Sequence, residues 1–93
     1  MSWGIDLVTD KDVPEATIDE ICSDLPEWML GPFGSKQPWG WSLAVDLWLD
    51  SPRPKTVILT GAGFSRNAAP QFAEAFARRL EQKGFKVEIG EMT

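Results

Sequence analysis

Residues 41–60, WSLAVDLWLDSPRPKTVILT, decide the fold. From Trp41 to Asp50, apolar residues recur at every second position, which is the period of a strand with one buried face. Ser51–Pro54 is a short turn with two prolines, and a β-branched segment follows it over residues 56–60. Two strands joined by a tight turn predict an antiparallel hairpin in the middle of the chain.

One helix and one strand are predicted on each side of this hairpin. On the N-terminal side the strand comes first, and on the C-terminal side the helix comes first. Asp12 and Glu15 form a capping pattern, and an apolar stripe with helical spacing follows at Ile18, Ile21, Cys22 and Leu25. The second helix, over about 69–83, has its own stripe at Phe72, Ala73, Phe76, Ala77 and Leu80, and Gly84 ends it. Alternating residues predict outer strands at residues 3–7 and 85–89.

The predicted order is therefore β-α-β-β-α-β, the split β-α-β pattern of the ferredoxin-like fold. We expect an α+β domain over residues 1–93, with a four-stranded antiparallel sheet and both helices on one face. Residues 30–40 contain three glycines and two prolines and are predicted to form an irregular loop.

Composition excludes several mechanisms. The chain has 93 residues, no histidine and one cysteine, so it contains no Ser-His-Asp triad, no histidine metal site and no internal disulfide. A net charge of −5 argues against nucleic acid and anionic membranes as partners. No apolar run is long enough to span a membrane. We expect a cytoplasmic protein that is not an enzyme and uses no cofactor or metal.

The charge is unevenly distributed along the chain. Residues 1–50 carry ten acidic and two basic side chains, whereas residues 51–93 carry four acidic and seven basic ones. Two interpretations remain open. The halves can pack together and partly neutralise each other, or the acidic half can recruit a basic partner.

Four aromatic residues are candidates for partner contact. Trp28, Phe33 and Trp39 lie in or beside the predicted loop, and Trp48 is out of phase with the buried positions of its strand. The strand phases place Trp48 on the open sheet face with Asp6, Ser42, Asp46 and Glu88. A loop that folds back over the sheet end is the structural alternative for Phe33 and Trp39. The predicted partner site combines the four aromatics with three acidic residues of the first helix: Glu15, Asp19 and Glu20.

Residues 60–72 contain a motif typical of cofactor binding. Thr60-Gly-Ala-Gly-Phe-Ser65, followed by Pro70-Gln-Phe72, resembles the opening of sirtuin-type NAD-binding domains. The resemblance implies NAD binding, but the family's catalytic histidine has no counterpart here and a third glycine is missing. Small residues at positions 61–63, which permit a sharp strand-to-helix turn or a bulge, are the interpretation that we favour.

The leading functional hypothesis is a small acidic protein-interaction module, such as a bacterial or phage-encoded inhibitor, immunity or accessory protein, that binds a basic surface. One alternative is a regulatory domain that binds a small ligand at the turn formed by Gly61, Gly63, Ser65, Arg66 and Asn67. Another is a homodimeric α+β barrel in which open sheet faces pair.

Overall fold

The computed structural model describes residues 2–25 and 34–93. Within these ranges the chain forms, in order, β1 (Ser2–Thr9), α1 (Glu15–Ser23), β2 (Ser35–Gln37), β3 (Gly40–Ala44), β4 (Leu47–Asp50), β5 (Thr56–Ala62), α2 (Ala69–Gln82) and β6 (Val87–Ile89). A short 3-10 helix, Gly63–Asn67, connects β5 to α2.

All six described strands form one open sheet in the order β2-β3-β4-β5-β1-β6, and every neighbouring pair is antiparallel. Because β5 and β6 both pair antiparallel with β1, they run parallel to each other on its two sides. The predicted α+β class, with two helices and an antiparallel sheet, is confirmed over the described residues. The ferredoxin-like β-α-β-β-α-β order is not confirmed, since the sheet has six strands instead of four.

The predicted single strand over residues 41–50 is wrong, because the chain reverses at Val45 and Asp46. Asp46 adopts a positive φ of 55°, and Ala44 pairs with Leu47 across the resulting tight turn. An irregularity between Ser42 and Ala44 shifts the register. Leu43 and Leu47 are therefore both buried, as they would be in an unbroken strand. The turn carries no Gly or Pro, and the alternation hides it.

One face of the sheet forms the core with both helices. Cross-strand neighbours on this face include the pairs Ile5–Leu59 and Leu7–Val57. The helices cover these pairs with their predicted apolar stripes, whose buried members are Ile18, Ile21 and Cys22 in α1 and Phe72, Ala73, Phe76, Ala77 and Leu80 in α2. The opposite face of the sheet, the open face, lies outside this core.

The segment predicted to be an irregular loop contains a strand. Ser35–Gln37 pairs with β3 and adds the sixth strand at the sheet edge. Trp39 lies in the turn between β2 and β3 and is substantially exposed. The predictions for Trp28 and Phe33 concern residues outside the described ranges.

Candidate functional site: the open face of the sheet

Three apolar side chains cross the open face diagonally. The register pairs Asp6 with Ile58, Val8 with Thr56, and Trp48 with Thr60, so Val8, Ile58 and Trp48 occupy successive diagonal positions on β1, β5 and β4. Diagonal neighbours of this kind lie about 7–8 Å apart. Val8 is 45% exposed, and Ile58 and Trp48 are half-buried. These three residues form the apolar stripe.

Carboxylates flank the apolar stripe. Asp6 lies directly opposite Ile58 on β1, and Glu88 lies opposite Val8 on β6. Asp50 follows the buried Leu49 on β4, so its side chain belongs to the open face as well. The stripe therefore has an acidic residue on each strand that borders its centre.

The described strands place no lysine or arginine on this face. Lys36 of β2 is opposite Trp41, on the helix-covered side of the sheet. The basic residues nearest in register are at one end of the face: Arg53 and Lys55 in the β4–β5 turn, and Lys86 just before β6. An apolar centre with negative flanks is suited to side chains that combine an apolar stem with a positive end.

The acidic residues of α1 are already paired within the chain. Lys36 Nζ lies 2.7 Å from both Glu15 Oε1 and Asp19 Oδ1, and Lys83 Nζ lies 2.7 Å from Glu20 Oε1. The first helix is thus linked to β2 and to α2 by basic side chains. This arrangement favours mutual neutralisation over a free acidic helix, although partner binding by these three residues stays a prediction.

Asp19 makes a second contact that ties α1 to the sheet. The indole Nε1 of Trp41 donates to Asp19 Oδ1 at 2.7 Å. The hydrogen bonds from Lys36 and then from Trp41 hold the pKa of Asp19 below its ordinary value of 3.8, against a smaller opposing effect of desolvation. The hydrogen bonds that Lys36 donates to Asp19 and to Glu15 raise the pKa of Lys36.

The ion pair between Lys36 and Asp19 predicts an acid-dependent loss of stability. Because the pKa of Asp19 is lower in the folded chain, its stabilisation is complete above the unfolded pKa and is lost as the pH falls through the folded pKa. We expect Asp19→Asn to flatten the dependence of the urea midpoint on pH below about pH 5. Lys36→Met removes the cation that pairs with Asp19 and should flatten the pH dependence of the urea midpoint similarly. Slopes equal to that of the wild type would show that the contact does not form.

The residues of the predicted ligand turn point in two directions. Gly61 is buried, and Ser65 Oγ accepts a hydrogen bond from Trp3 Nε1 at 2.8 Å while donating to the carbonyl of Ala62 at 2.6 Å. Gly63, Arg66 and Asn67 are exposed. The structure therefore brings only the last three together at the surface. Gly61 leaves room for the Trp3 indole, whereas Gly63 has open space around it and adopts a positive φ of 58°.

Two exposed apolar residues could not be recognised as exposed from strand and helix periodicity. Phe64 is 92% exposed in the 3-10 helix, and Val45 is 66% exposed in the β3–β4 turn. The two turns are neighbours, since Ala62 N–H donates to the carbonyl of Asp46 at 3.0 Å. An apolar residue inside a Gly-, Ser- and Asn-rich turn was the available signal for Phe64. No sequence signal indicated the exposure of Val45, because this residue fitted the strand alternation.

Cys22 is fully buried in the core-facing stripe of α1. Burial raises the pKa of its thiol to about 12, so the reactive thiolate is scarce at neutral pH.

We expect an aromatic disulfide reagent at about pH 8 to label Cys22 of the native protein only as fast as the chain opens, and to label the denatured protein at once. Equally fast labelling of both states would show that this face of α1 is open.

Within the described ranges, no cluster of three or more His, Cys, Asp or Glu side chains is able to hold a metal ion. No helix there has the length and apolar character needed to cross a membrane.

No protein-family model, curated protein or solved structure matches the chain. The open face is the described surface on which an apolar centre, a tryptophan and unneutralised carboxylates lie together.

Proposed function

We propose that this chain is a non-enzymatic protein-interaction module whose open sheet face binds a basic segment of a partner protein. The observation that supports it is an apolar side chain between two carboxylates: Asp6 pairs with Ile58, and Asp50 follows the Leu49–Leu59 pair, so the same register continued by one residue puts it on the other side of Ile58. A binding surface needs an apolar centre that excludes water and charged groups that select the partner. This row supplies both.

The open face is a better candidate than the first helix because its charge is not offset. Glu15, Asp19 and Glu20 each have a lysine at 2.7 Å, and a basic partner would have to displace those lysines. In the part of the chain that the structure describes, no ion pair involves Asp6, Asp50 or Glu88. Their negative potential is available to an incoming cation.

Trp48 is the proposed anchor. A half-buried indole beside Ile58 offers a flat apolar surface for the aliphatic stem of lysine or arginine, and its ring face attracts the cation itself. The apolar stripe spans two diagonal steps, about 15 Å, which matches about ten residues of a helix or five of an extended segment. An inhibitor, immunity or accessory protein would use such a face to cover a basic surface of its target.

The first test uses a peptide pair. A fluorescent amphipathic peptide of leucine and lysine is titrated with the protein, and a peptide with glutamate in place of every lysine is the control. We expect saturable binding of the lysine peptide alone, weakened about tenfold or more by Trp48→Ala. Trp39→Ala, which removes a tryptophan at the β2–β3 turn, should leave the affinity unchanged.

Two results would contradict the proposal. Equal binding of both peptides would show that the carboxylates of the open face do not select a basic partner. Equal affinity of the wild type and Trp48→Ala would place the binding site elsewhere, and a loss with Trp39→Ala alone would move it to the sheet edge.

A further inference from the structure

The β6 edge of the sheet has backbone groups that no described residue pairs. Asp10 N–H donates to the carbonyl of Lys86, and Gly90 N–H donates to the carbonyl of Asp6 at 2.8 Å. In an antiparallel ladder these bonds alternate along the strand. The even-numbered residues of β6 therefore face β1, and the N–H and C=O groups of Val87 and Ile89 face away from the sheet.

The side chains along this edge are self-complementary. Lys86 and Glu88 are exposed and lie on either side of Val87, with their side chains towards the open face. An antiparallel pair of two copies centred on Val87 would place each Lys86 opposite the partner's Glu88. These positions would form a non-hydrogen-bonded pair, in which opposing side chains are closest.

We infer that this edge is an interface with a second copy of the chain, joined through β6 about a two-fold axis at Val87. The two Val87 residues exchange two backbone hydrogen bonds, and two Lys86–Glu88 pairs form across the interface. Ile89, which is 45% exposed, gains apolar neighbours from the partner on the helix-covered side. Moving the centre to Glu88 would instead oppose two carboxylates, so charge selects the register.

The opposite edge of the sheet lacks this complementarity. A symmetric pairing of β2, whose sequence is Ser35-Lys-Gln37, would bring two lysines together at its centre, and Lys36 is already engaged with α1. Pairing through β6 makes one continuous sheet with both open faces on the same side. The two apolar stripes, each flanked by the unpaired Asp6 and Asp50, would then be presented together, which favours a partner with repeated basic segments.

Sedimentation equilibrium of the whole chain, from about 10 µM to about 1 mM, tests the inference in a range that detects weak association. We expect a reversible monomer–dimer equilibrium in the wild type. Val87→Pro removes the outward N–H but leaves the bonds between β6 and β1, so this variant should be a folded monomer. Glu88→Lys should weaken the dimer about tenfold or more, since it replaces two attractive pairs by repulsive ones.

The decisive variant exchanges the two charges. Lys86→Glu combined with Glu88→Lys should restore the wild-type association, because both pairs form again with reversed sign. A wild type that is monomeric at every concentration would overturn the inference. So would a dimer that Val87→Pro and Glu88→Lys leave intact while circular dichroism shows both variants folded. The result is independent of peptide binding, which Val87→Pro should retain in each monomer.

Discussion

Gly61→Ala is expected to destabilise the fold by about 3 kcal/mol, because the added methyl group has no space. A Cβ at this position would lie 2.5 Å from the Asp46 carbonyl oxygen, 2.5 Å from Trp3 Cζ2 and 2.6 Å from Ser65 Oγ. Two of these contacts involve backbone or a buried indole, which have little freedom to move. For a domain of this size we expect the melting temperature to fall by about 15 °C.

Gly4→Ala is the matched control for this prediction. Gly4 lies on the neighbouring strand, one position along from Trp3, and a Cβ there would meet Thr93 Oγ1 at an ordinary 3.6 Å. We expect its stability to stay within about 0.5 kcal/mol of the wild type. If Gly61→Ala were equally mild, the packing of Trp3 would not explain the glycine at position 61.

Reversing the two carboxylates beside Ile58 is expected to have the largest effect on binding. Asp6→Lys combined with Asp50→Lys should weaken binding of the leucine–lysine peptide on the order of 100-fold, because attraction becomes like-charge repulsion on both sides of the apolar stripe. The same double variant should gain affinity for the leucine–glutamate peptide. Fluorescence anisotropy with both peptides at one salt concentration measures the two changes.

A second double variant controls for net charge. Glu74→Lys with Glu81→Lys changes the total charge equally, but both residues are exposed on α2, whose buried side packs on the other face of the sheet. We expect at most a small decrease in affinity, which added salt removes. Equal losses in the two double variants would mean that the peptide responds to overall charge, and the open face would lose its special role.

Much of the fold could be predicted because its signals are local. The apolar stripes of both helices and the phases of β1 and β5 follow from spacing alone. The β3–β4 turn could not be predicted, since Val45 and Asp46 continue the alternation and the register shift keeps Leu43 and Leu47 in phase. Aspartate tolerates the positive φ of Asp46 better than most residues, but one aspartate within an alternating run does not by itself indicate a turn.

Part of the candidate site could be predicted as well, because strand phase is a local signal. Strand phase correctly put Trp48 on the open face with Asp6, Ser42 and Glu88, whereas the prediction for Asp46 was wrong because this residue lies in the β3–β4 turn. The pairing of the α1 carboxylates with Lys36 and Lys83 depends on contacts between residues distant in sequence. The same is true of the bond from Trp3 to Ser65, which spans 62 positions. Such contacts are set by packing and not by local pattern.

The most direct test of the proposed binding face is an NMR titration of the 15N-labelled chain with the leucine–lysine peptide. We expect the largest amide shift changes at residues 6–8, 48–50 and 56–60, together with the indole N–H of Trp48, and little change over Glu15–Ser23. Changes concentrated on α1, or on the turn from Gly61 to Asn67, would contradict binding by the open face.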